Sequence, residues 1–271
     1  SDQRFVAAVL DQDPSAVQRA QIALGNEVNR LCFMIGNFAE LKTILAGYRT
    51  RLAGLGVAFD RQGAPQFDRI LVDLGISSDQ LDAAERGFSF AKEGALDMRM
   101  NPGTLLTADE IVNKWPAGRL LAVLREGGVG AGASAFVREI VKKRPVRSTL
   151  ELAEICRKAS VAQRRRAGKT GPVKKQHPAT VVFQALRIAV NQELQSLSSF
   201  LAQVLAVLAP GGRLAMISFH SLEDQLVARA MRAWSQPPVE VRNLPQSGLL
   251  SVPGELLTKK AVVPQAAEVA A

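Results

Sequence analysis

The sequence is poor in cysteine and in long hydrophobic runs. Only two of its 271 residues are cysteines, Cys32 and Cys156, and they lie far apart without a C-x-x-C pair. This excludes a disulfide framework and a cysteine zinc site, and it favours a reducing compartment. The apolar runs are shorter than the ~20 residues that a membrane-spanning helix needs. The N-terminus, SDQRFVAAVLDQD, has acidic residues where a signal peptide has a basic region, so no signal peptide is predicted.

The positive charge of the chain is concentrated in one segment. The formal net charge is +9, but residues 138–175 alone hold thirteen basic and three acidic residues. Such a density favours a polyanion, most commonly nucleic acid, over a solvated basic loop. Because no aromatic residues interleave with these charges, we expect contacts with phosphates and not with bases. The candidate phosphate contacts are Lys142, Lys143, Arg144, Arg164, Arg165 and Arg166.

Short apolar runs alternate with helical patterns in the first part of the chain. Asp13 is a good N-cap and Pro14 a good first helical residue for the first of these helices. The alternation predicts an α/β fold with a parallel sheet covered by helices on both faces. The predicted strands are 5–10, 31–35 and 70–74, and the predicted helices are 15–24 and 38–46.

The pattern changes in the middle of the chain, where no strong strand is found. Short helices are predicted at 107–113, 120–126, 135–143 and 149–159, followed by a polar, basic and mobile stretch at 163–175. Further on, an apolar stripe predicts one helix over 184–208, which Pro210-Gly211-Gly212 ends. A strand at 213–219 and a helix at 222–234 follow. We therefore predict an α/β domain (1–97 and 180–236), a helical basic insertion (98–179) and an irregular tail (237–271).

Three constellations stand where open α/β sheets bind ligands, after the carboxyl ends of strands, and the first consists of Asp11 and Phe38. Asp11 follows the first strand and is either a ribose ligand or a turn aspartate. Phe38 follows the second strand and either contacts an adenine or belongs to the core. The polar loop at 73–82 is expected to bind a ligand. The last constellation contains His220, a candidate for acid–base chemistry, with Ser221 and Asp224 as a predicted helix cap.

Several long motifs then occur in order: D-L-G-I-S-S-D-Q-L-D, E-R-G-F-S-F, G-A-L-D-M-R-M, H-P-A-T-V-V-F-Q-A-L-R-I-A-V-N-Q-E-L and A-P-G-G-R-L-A-M-I-S-F-H-S-L-E-D. With them the chain resembles the RsmH (MraW) family of ribosomal RNA methyltransferases, from about residue 5 to residue 264. The resemblance implies a Rossmann-like class I methyltransferase sheet with an inserted helical domain. It also implies methyl transfer from S-adenosylmethionine to the 4-amino group of a cytidine in small-subunit rRNA.

The resemblance implies roles for individual residues. Asp11 would hold the cofactor ribose and Phe38 would contact the adenine, with Asp73 and Gln80 completing the cofactor pocket. Hydrogen-bond acceptors at Asp73 and Ser77 would pull on an amino hydrogen and localise the lone pair of the nitrogen. The target base is expected to be flipped out of any helix. Candidate contacts for it are Phe88, Phe90, Phe219 and His220.

The sequence departs from the family in three places. It starts after the strand and glycine-rich G-G-H turn with which the family opens, and it lacks an arginine-rich C-terminal stretch. In the insertion, Leu124-Arg125 is followed by a glycine-rich run in place of a Y-G-E-E-like stretch. A sheet without its first strand would expose a hydrophobic edge, so we expect a trimmed enzyme. The alternative is a degenerate factor that binds small-subunit rRNA during ribosome assembly. No membrane partner is expected, and the compartment is the bacterial cytoplasm or the mitochondrial matrix, with a slight preference for the latter.

Overall fold

The computed structural model describes residues 5–166, 168, 177–237, 252–258 and 260–264. Part of the predicted basic stretch (167 and 169–176, with Lys174 and Lys175) and most of the tail lie outside the described residues. The strands are β1 (Ala7–Asp11), β2 (Leu31–Ile35), β3 (Ala58–Phe59), β4 (Pro65–Asp73) and β5 (Leu208–Ile217). The helices are α1 (Pro14–Leu24), α2 (Leu41–Gly47), α3 (Arg49–Gly54), α4 (Ser78–Asp82), α5 (Ala108–Lys114), α6 (Ala117–Glu126), α7 (Ala133–Lys143), α8 (Thr149–Arg166), α9 (Ala179–Asn191), α10 (Glu193–Leu201) and α11 (Ser221–Trp234).

The strands pair in parallel, which confirms the predicted α/β class. β1 pairs with β2, from Ala7 opposite Leu31 to Asp11 opposite Ile35. β4 pairs with β5 in parallel, and the short β3, which the sequence did not predict, adds an antiparallel edge to β4. Among the described residues no strand is hydrogen-bonded to both pairs, so β1 and the part of β4 beyond its pairing with β3 each keep an unpaired edge.

Only one face of the β4–β5 pair is covered by the described part of the chain. Ile70, Val72 and Leu214 face the hydrophobic core and are partly buried. On the opposite face Leu71 is 70% exposed and Ile217 is 44% exposed. The prediction of helices on both faces is therefore wrong for this pair. Because strand residues alternate between faces, an apolar run predicts a strand without showing whether both faces are packed.

The single helix predicted over 184–208 is wrong. Gln192 has a φ of 51° and separates α9 from α10, and a 3-10 turn at Val204–Val207 leads into β5. The apolar stripe continues across this break. The spacing of the apolar residues therefore does not indicate that the helix is interrupted. The Pro210-Gly211-Gly212 turn ends no helix and lies within β5, where the pairing with β4 shifts its register.

The buried side chains form two clusters. One lies against the sheet and includes Met34, Leu52 and Leu197. The other lies among the helices of the insertion and includes Leu120, Ile140, Leu152 and, from α9, Leu186. The insertion therefore has a hydrophobic core of its own, to which α9 contributes although the sequence assigns α9 to the α/β domain. No described helix has the length and apolar character to cross a membrane.

The insertion is helical, as its sequence predicts, but its last helix is longer than expected. α8 continues to Arg166, so Arg164, Arg165 and Arg166 form its last turn, which the sequence did not predict to be helical. Cations are favourable at a helix C-terminus because they interact with the negative end of the helix dipole. This electrostatic preference favours the three arginines in the last turn of α8, which lies beyond the predicted end at residue 159.

Candidate active site

A pocket lies at the carboxyl ends of the parallel strands. Asp11, the last residue of β1, and Phe38, which follows β2, line one side. Asp73, the last residue of β4, and Phe219, which follows β5, line the other side. Open α/β sheets bind their ligands at this edge. The structure thus brings together six residues that the sequence predicted from separate motifs: Asp11, Phe38, Asp73, Ser77, Gln80 and Phe219.

The β4–β5 side of the pocket presents a free carboxylate beside an aromatic ring. Asp73 is the register partner of Ile217, which places it next to the chain that leaves β5. Gly75 has a φ of 94°, a conformation that glycine adopts without strain, and a Cβ there would lie 3.3 Å from the Phe219 ring. Phe219 is 65% exposed. The described part of the chain gives the Asp73 carboxylate no hydrogen bond or ion pair, so both groups can contact a ligand.

The β1–β2 side of the pocket combines a second carboxylate with a second ring. The backbone N–H of Asp13 donates to Asp11 Oδ1 at 2.8 Å, which fixes the carboxyl group at the rim. Desolvation raises the pKa of Asp11 above its ordinary value, against the effect of this hydrogen bond. The Phe38 ring meets Phe200 edge-on, with ring centres 5.3 Å apart. Phe38 therefore packs on the core and lines the pocket at once.

Asp13 holds together three loops around the pocket. As predicted, it caps α1, with the Ser15 backbone N–H donating to Oδ1 at 3.0 Å. Its other oxygen, Oδ2, accepts from Gln80 Nε2 at 2.7 Å and from Arg86 Nη1 at 3.0 Å. Arg86 Nη2 also donates to the carbonyls of Arg99 and Met100. The cap was visible in the sequence, but the two distant donors were not, because only the tertiary fold brings them to Asp13.

Gln80 and Ser77 hold each other in place at the start of α4. The Gln80 backbone N–H donates to Ser77 Oγ at 3.2 Å, and the Ser77 backbone N–H donates to Gln80 Oε1 at 3.1 Å. With Nε2 bonded to Asp13, both ends of the Gln80 amide are engaged within the protein. Gln80 therefore shapes the pocket wall, and its direct contact with a cofactor stays a prediction. The catalytic role of Ser77 stays a prediction as well.

Two of the aromatic residues predicted to stack on a base are wrongly assigned. Phe88 is only 7% exposed and belongs to the helical core cluster. Phe90 packs against Phe183 and His177, with ring centres 4.9 Å and 5.0 Å away. Neither lines the pocket. Their motif resembles a binding loop because small polar residues surround the rings, but the rings fill the core of the insertion. Phe219 alone of the three is placed for stacking.

The cap of α11 differs from the predicted pair, Ser221 and Asp224. His220 is the N-cap residue, and its Nδ1 accepts from the Glu223 backbone N–H at 3.3 Å. Glu223 Oε2 in turn accepts from the backbone N–H groups of Phe219 and His220. The side chain of His220 is only 8% exposed and does not line the pocket, so its contact with the target base stays a prediction. The three-residue spacing of a capping box was the signal that could have identified Glu223.

The inner end of the pocket contains a cluster of buried ionisable groups. Glu193 and Glu223 both line the pocket, and their carboxylate atoms lie within 4.8 Å of each other and of a ring nitrogen of His220. Arg187 binds Glu193 through two N–O contacts of 2.8 Å. Burial raises the pKa of Glu193, with Arg187 opposing and Glu223 adding to the shift. Burial lowers the pKa of His220, so its ring is neutral near pH 7.

The predicted phosphate contacts fall into two groups. Lys142 and Lys143 in the last turn of α7 are exposed, as are Arg165 and Arg166 in the last turn of α8, while Arg164 is partly buried. Arg144 instead donates to the carbonyl of Val112 from Nε at 2.6 Å and to that of Trp115 from Nη2 at 2.8 Å. The guanidinium of Arg144 therefore joins α5 to α7, and its assignment as a phosphate contact is wrong.

Comparison with known proteins identifies a family. The model of the MraW methylase family matches residues 2–271. A "ribosomal RNA small subunit methyltransferase H" of Desulfosudis oleivorans is 39% identical over 97% of this chain and 79% of its own length. A protein of the same name from Heliobacterium modesticaldum is 42% identical over 80% of this chain and 64% of its own length. Another, from a Synechococcus strain, is 45% identical over 82% of this chain and 68% of its own length. The chain therefore belongs to the MraW methylase family.

Proposed function

We propose that this protein transfers a methyl group from S-adenosylmethionine to the 4-amino group of a cytidine in small-subunit rRNA. The observation that carries the proposal is the two-sided pocket, with Asp11 and Phe38 on one side and Asp73 and Phe219 on the other. Family membership and the names of the bacterial relatives support rRNA methylation. Neither supports the alternative of a factor without catalytic activity.

The β1–β2 side of the pocket fits an adenosyl group. An ionised Asp11 accepts hydrogen bonds from ribose hydroxyls, and the Phe38 ring offers an apolar surface to an adenine. When bound, S-adenosylmethionine supplies a methyl group that is already activated by the sulfonium charge. The protein has therefore mainly to align the donor and the acceptor and to exclude water between them.

The β4–β5 side fits the target base. The lone pair of a cytosine amino group is delocalised into the ring, so the nitrogen is a weak nucleophile. The free carboxylate of Asp73 accepts one amino hydrogen and so localises the lone pair on nitrogen. The exposed Phe219 ring stacks on the flipped base, since base–aromatic stacking contributes about 1–3 kcal/mol. Ser77 lies next to Asp73 in the pocket and contributes a second polar group.

The helical insertion supplies the contacts with the rRNA backbone. Lys142, Lys143, Arg165 and Arg166 are exposed at the ends of two helices, where they can follow phosphates without reading bases. The small ribosomal subunit during its assembly is the expected partner. The named relatives are bacterial, which favours the bacterial cytoplasm and gives no support to a mitochondrial location.

Replacing Asp11 by asparagine is expected to weaken cofactor binding by about 10- to 100-fold, because a hydrogen bond to a charged group contributes about 1.5–3 kcal/mol. Since the pKa of Asp11 is raised, the affinity of the unmodified protein should fall as the pH drops through that raised pKa, when the carboxylate becomes protonated. The variant should lack this pH dependence. Titration calorimetry with S-adenosylmethionine at several pH values measures both effects. Asp68→Asn, an exposed change outside the pocket, is the control. Equal affinities for Asp11→Asn and the control would contradict the assignment.

Replacing Arg164, Arg165 and Arg166 together by glutamine tests the phosphate contacts. Each lost phosphate contact should reduce the slope of log affinity against log salt concentration by about 0.7–0.9. Filter binding of small-subunit rRNA over a range of salt concentrations measures the slope. The matched control replaces three arginines outside the insertion by glutamine, so that the change in charge is the same: Arg30, Arg61 and Arg69. An unchanged affinity and slope in the first variant would refute a role of the α8 terminus in RNA binding.

A further inference from the structure

The lining of the pocket includes a buried carboxylate that pairs with no cationic side chain among the described residues. Within the cluster, Arg187 is paired with Glu193, and His220 is neutral. Glu223 therefore has no cationic side chain of its own in the cluster, and only 3% of its side chain is exposed. A buried carboxylate is energetically costly unless hydrogen donors reach its oxygens. Because Glu223 lines the pocket, a ligand there can supply a donor that the protein does not.

The two carboxylate oxygens of Glu223 have different surroundings. Oε2 accepts from the backbone N–H of Phe219 at 3.0 Å and from that of His220 at 3.4 Å, which completes the cap of α11. Oε1 accepts no hydrogen bond from the described residues. The Nε2 of His220 lies 3.4 Å from it but is itself buried without a hydrogen-bond partner. Oε1 is therefore the oxygen that remains for a ligand in the pocket.

The hydrogen bonds of the cluster favour a hydrogen donor over a metal ion as this ligand. Nδ1 of His220 accepts from the Glu223 backbone N–H, so the proton of the neutral ring is on Nε2, which then has no lone pair for a metal. Both oxygens of Glu193 are bonded to Arg187. Of the three groups, only Glu223 Oε1 is available, and a single carboxylate oxygen suits an N–H donor.

We propose that Glu223 is the proton acceptor of the methyl-transfer reaction, an inference that rests on the proposed function. The amino nitrogen bonds to the methyl carbon while the carbon–sulfur bond breaks and its electron pair stays on sulfur. The nitrogen, now positively charged, gives one of its protons to Glu223 Oε1. Glu223 and Asp73 both line the pocket, Asp73 at the end of β4 and Glu223 in the first turn of the helix that follows β5. Asp73 orients the amino group and Glu223 takes the proton.

Glu223→Gln tests this role, because glutamine keeps an oxygen for the cap but cannot take a proton. Single-turnover methyl transfer to small-subunit rRNA at saturating cofactor should fall by about 100-fold or more, as expected for loss of a general base. The affinity for S-adenosylmethionine should stay unchanged. The melting temperature of the free protein should change little, because glutamine keeps the oxygen that accepts the backbone N–H groups at the start of α11. Asp224→Asn is the matched control: it makes the same charge change in the same helical turn on an exposed residue, and it should keep the full rate.

Several results would overturn the proposal. A Glu223→Gln rate within about threefold of the unmodified protein would show that no proton acceptor was lost. A melting temperature several degrees lower would show that Glu223 acts through the helix cap alone. Loss of transfer by the unmodified protein on chelation, with recovery on adding a divalent cation, would identify a metal site instead. If the unmodified protein transfers no methyl group at all, the proposed function fails, and this inference fails with it. If only the Glu223→Gln result disagrees, the inference fails and the proposed function stands.

Discussion

Replacing Asp13 by alanine is expected to lower the free energy of unfolding by about 3–5 kcal/mol, the usual cost of removing one partner of a buried ion pair. The Asp13 side chain is 1% exposed, and that of its partner Arg86 is 18% exposed. The substitution also removes the cap of α1 and leaves Gln80 Nε2 without its acceptor. Urea unfolding at neutral pH measures the change.

A surface ion pair provides the control for this prediction. Asp79 pairs with Arg19 at 2.9 Å, but the side chains of both residues are largely exposed. Asp79→Ala should therefore change the free energy of unfolding by less than about 1 kcal/mol. If Asp13→Ala cost no more than Asp79→Ala, the Asp13 contacts would not hold the loops of the pocket together.

The Asp13 contacts also predict a pH dependence of stability. Burial alone would raise the pKa of Asp13, but hydrogen bonds from Ser15, Gln80 and Arg86 outweigh it and lower the pKa below the ordinary value. A carboxyl group with a lowered pKa stabilises the folded state above the pKa of the unfolded chain. This contribution is lost as the pH falls through the folded-state pKa. The difference in stability between the unmodified protein and Asp13→Ala should therefore shrink on acidification.

Replacing Asp73 by asparagine is expected to reduce the rate of methyl transfer by about 100-fold or more, the range found when a preorganised hydrogen-bonding group at the reacting atoms is removed. The carboxylate accepts an amino hydrogen of the base, whereas an asparagine amide presents a weaker acceptor and a competing donor. Single-turnover transfer to small-subunit rRNA at saturating cofactor measures the effect on the chemical step apart from cofactor binding.

Asp82→Asn is the matched control for Asp73. Asp82 lies at the end of α4, is exposed and does not line the pocket, so the charge change is the same without the contact. Its rate should stay close to that of the unmodified protein. An Asp73→Asn rate equal to that of the control would contradict the assignment of Asp73 to the target amino group. Combining Asp73→Asn with Glu223→Gln would then show whether the two carboxylates act in one step.

Local signals predicted the elements whose stability depends on neighbours in the chain. Asp13 and Pro14 marked the start of α1, because a cap and a first-turn proline act within a few residues. An apolar run predicted β2. The polar residues at the strand ends predicted the site, because the ends of parallel strands meet at one edge of the sheet. The same local reasoning failed at Gln192, where contacts outside the helix decide the break.

The contacts across that break explain why periodicity missed it. Asn191 Nδ2 donates to the Met98 carbonyl at 2.7 Å, and Asn191 Oδ1 accepts from the Met100 backbone N–H at 2.7 Å. Arg187 reaches over the break to Glu193. The apolar stripe records only which residues face the core, so it cannot show hydrogen bonds made by the polar side of the same helix.

The sequence by itself determined the family, the α/β class, the helical insertion with its basic charge, and the strand-end residues Asp11, Phe38 and Asp73. Each of these depends on motif order, composition or the spacing of neighbours. Only the tertiary structure decided that Phe88 fills a core, that Arg144 binds backbone carbonyls, and that the buried carboxylate of Glu223 lines the pocket. The physical reason is the same in all three cases. Burial and ion pairing depend on which distant segments of the chain pack together. A phenylalanine, an arginine or a glutamate can occur in a core, on a surface or in a site, so the residue type alone does not show which.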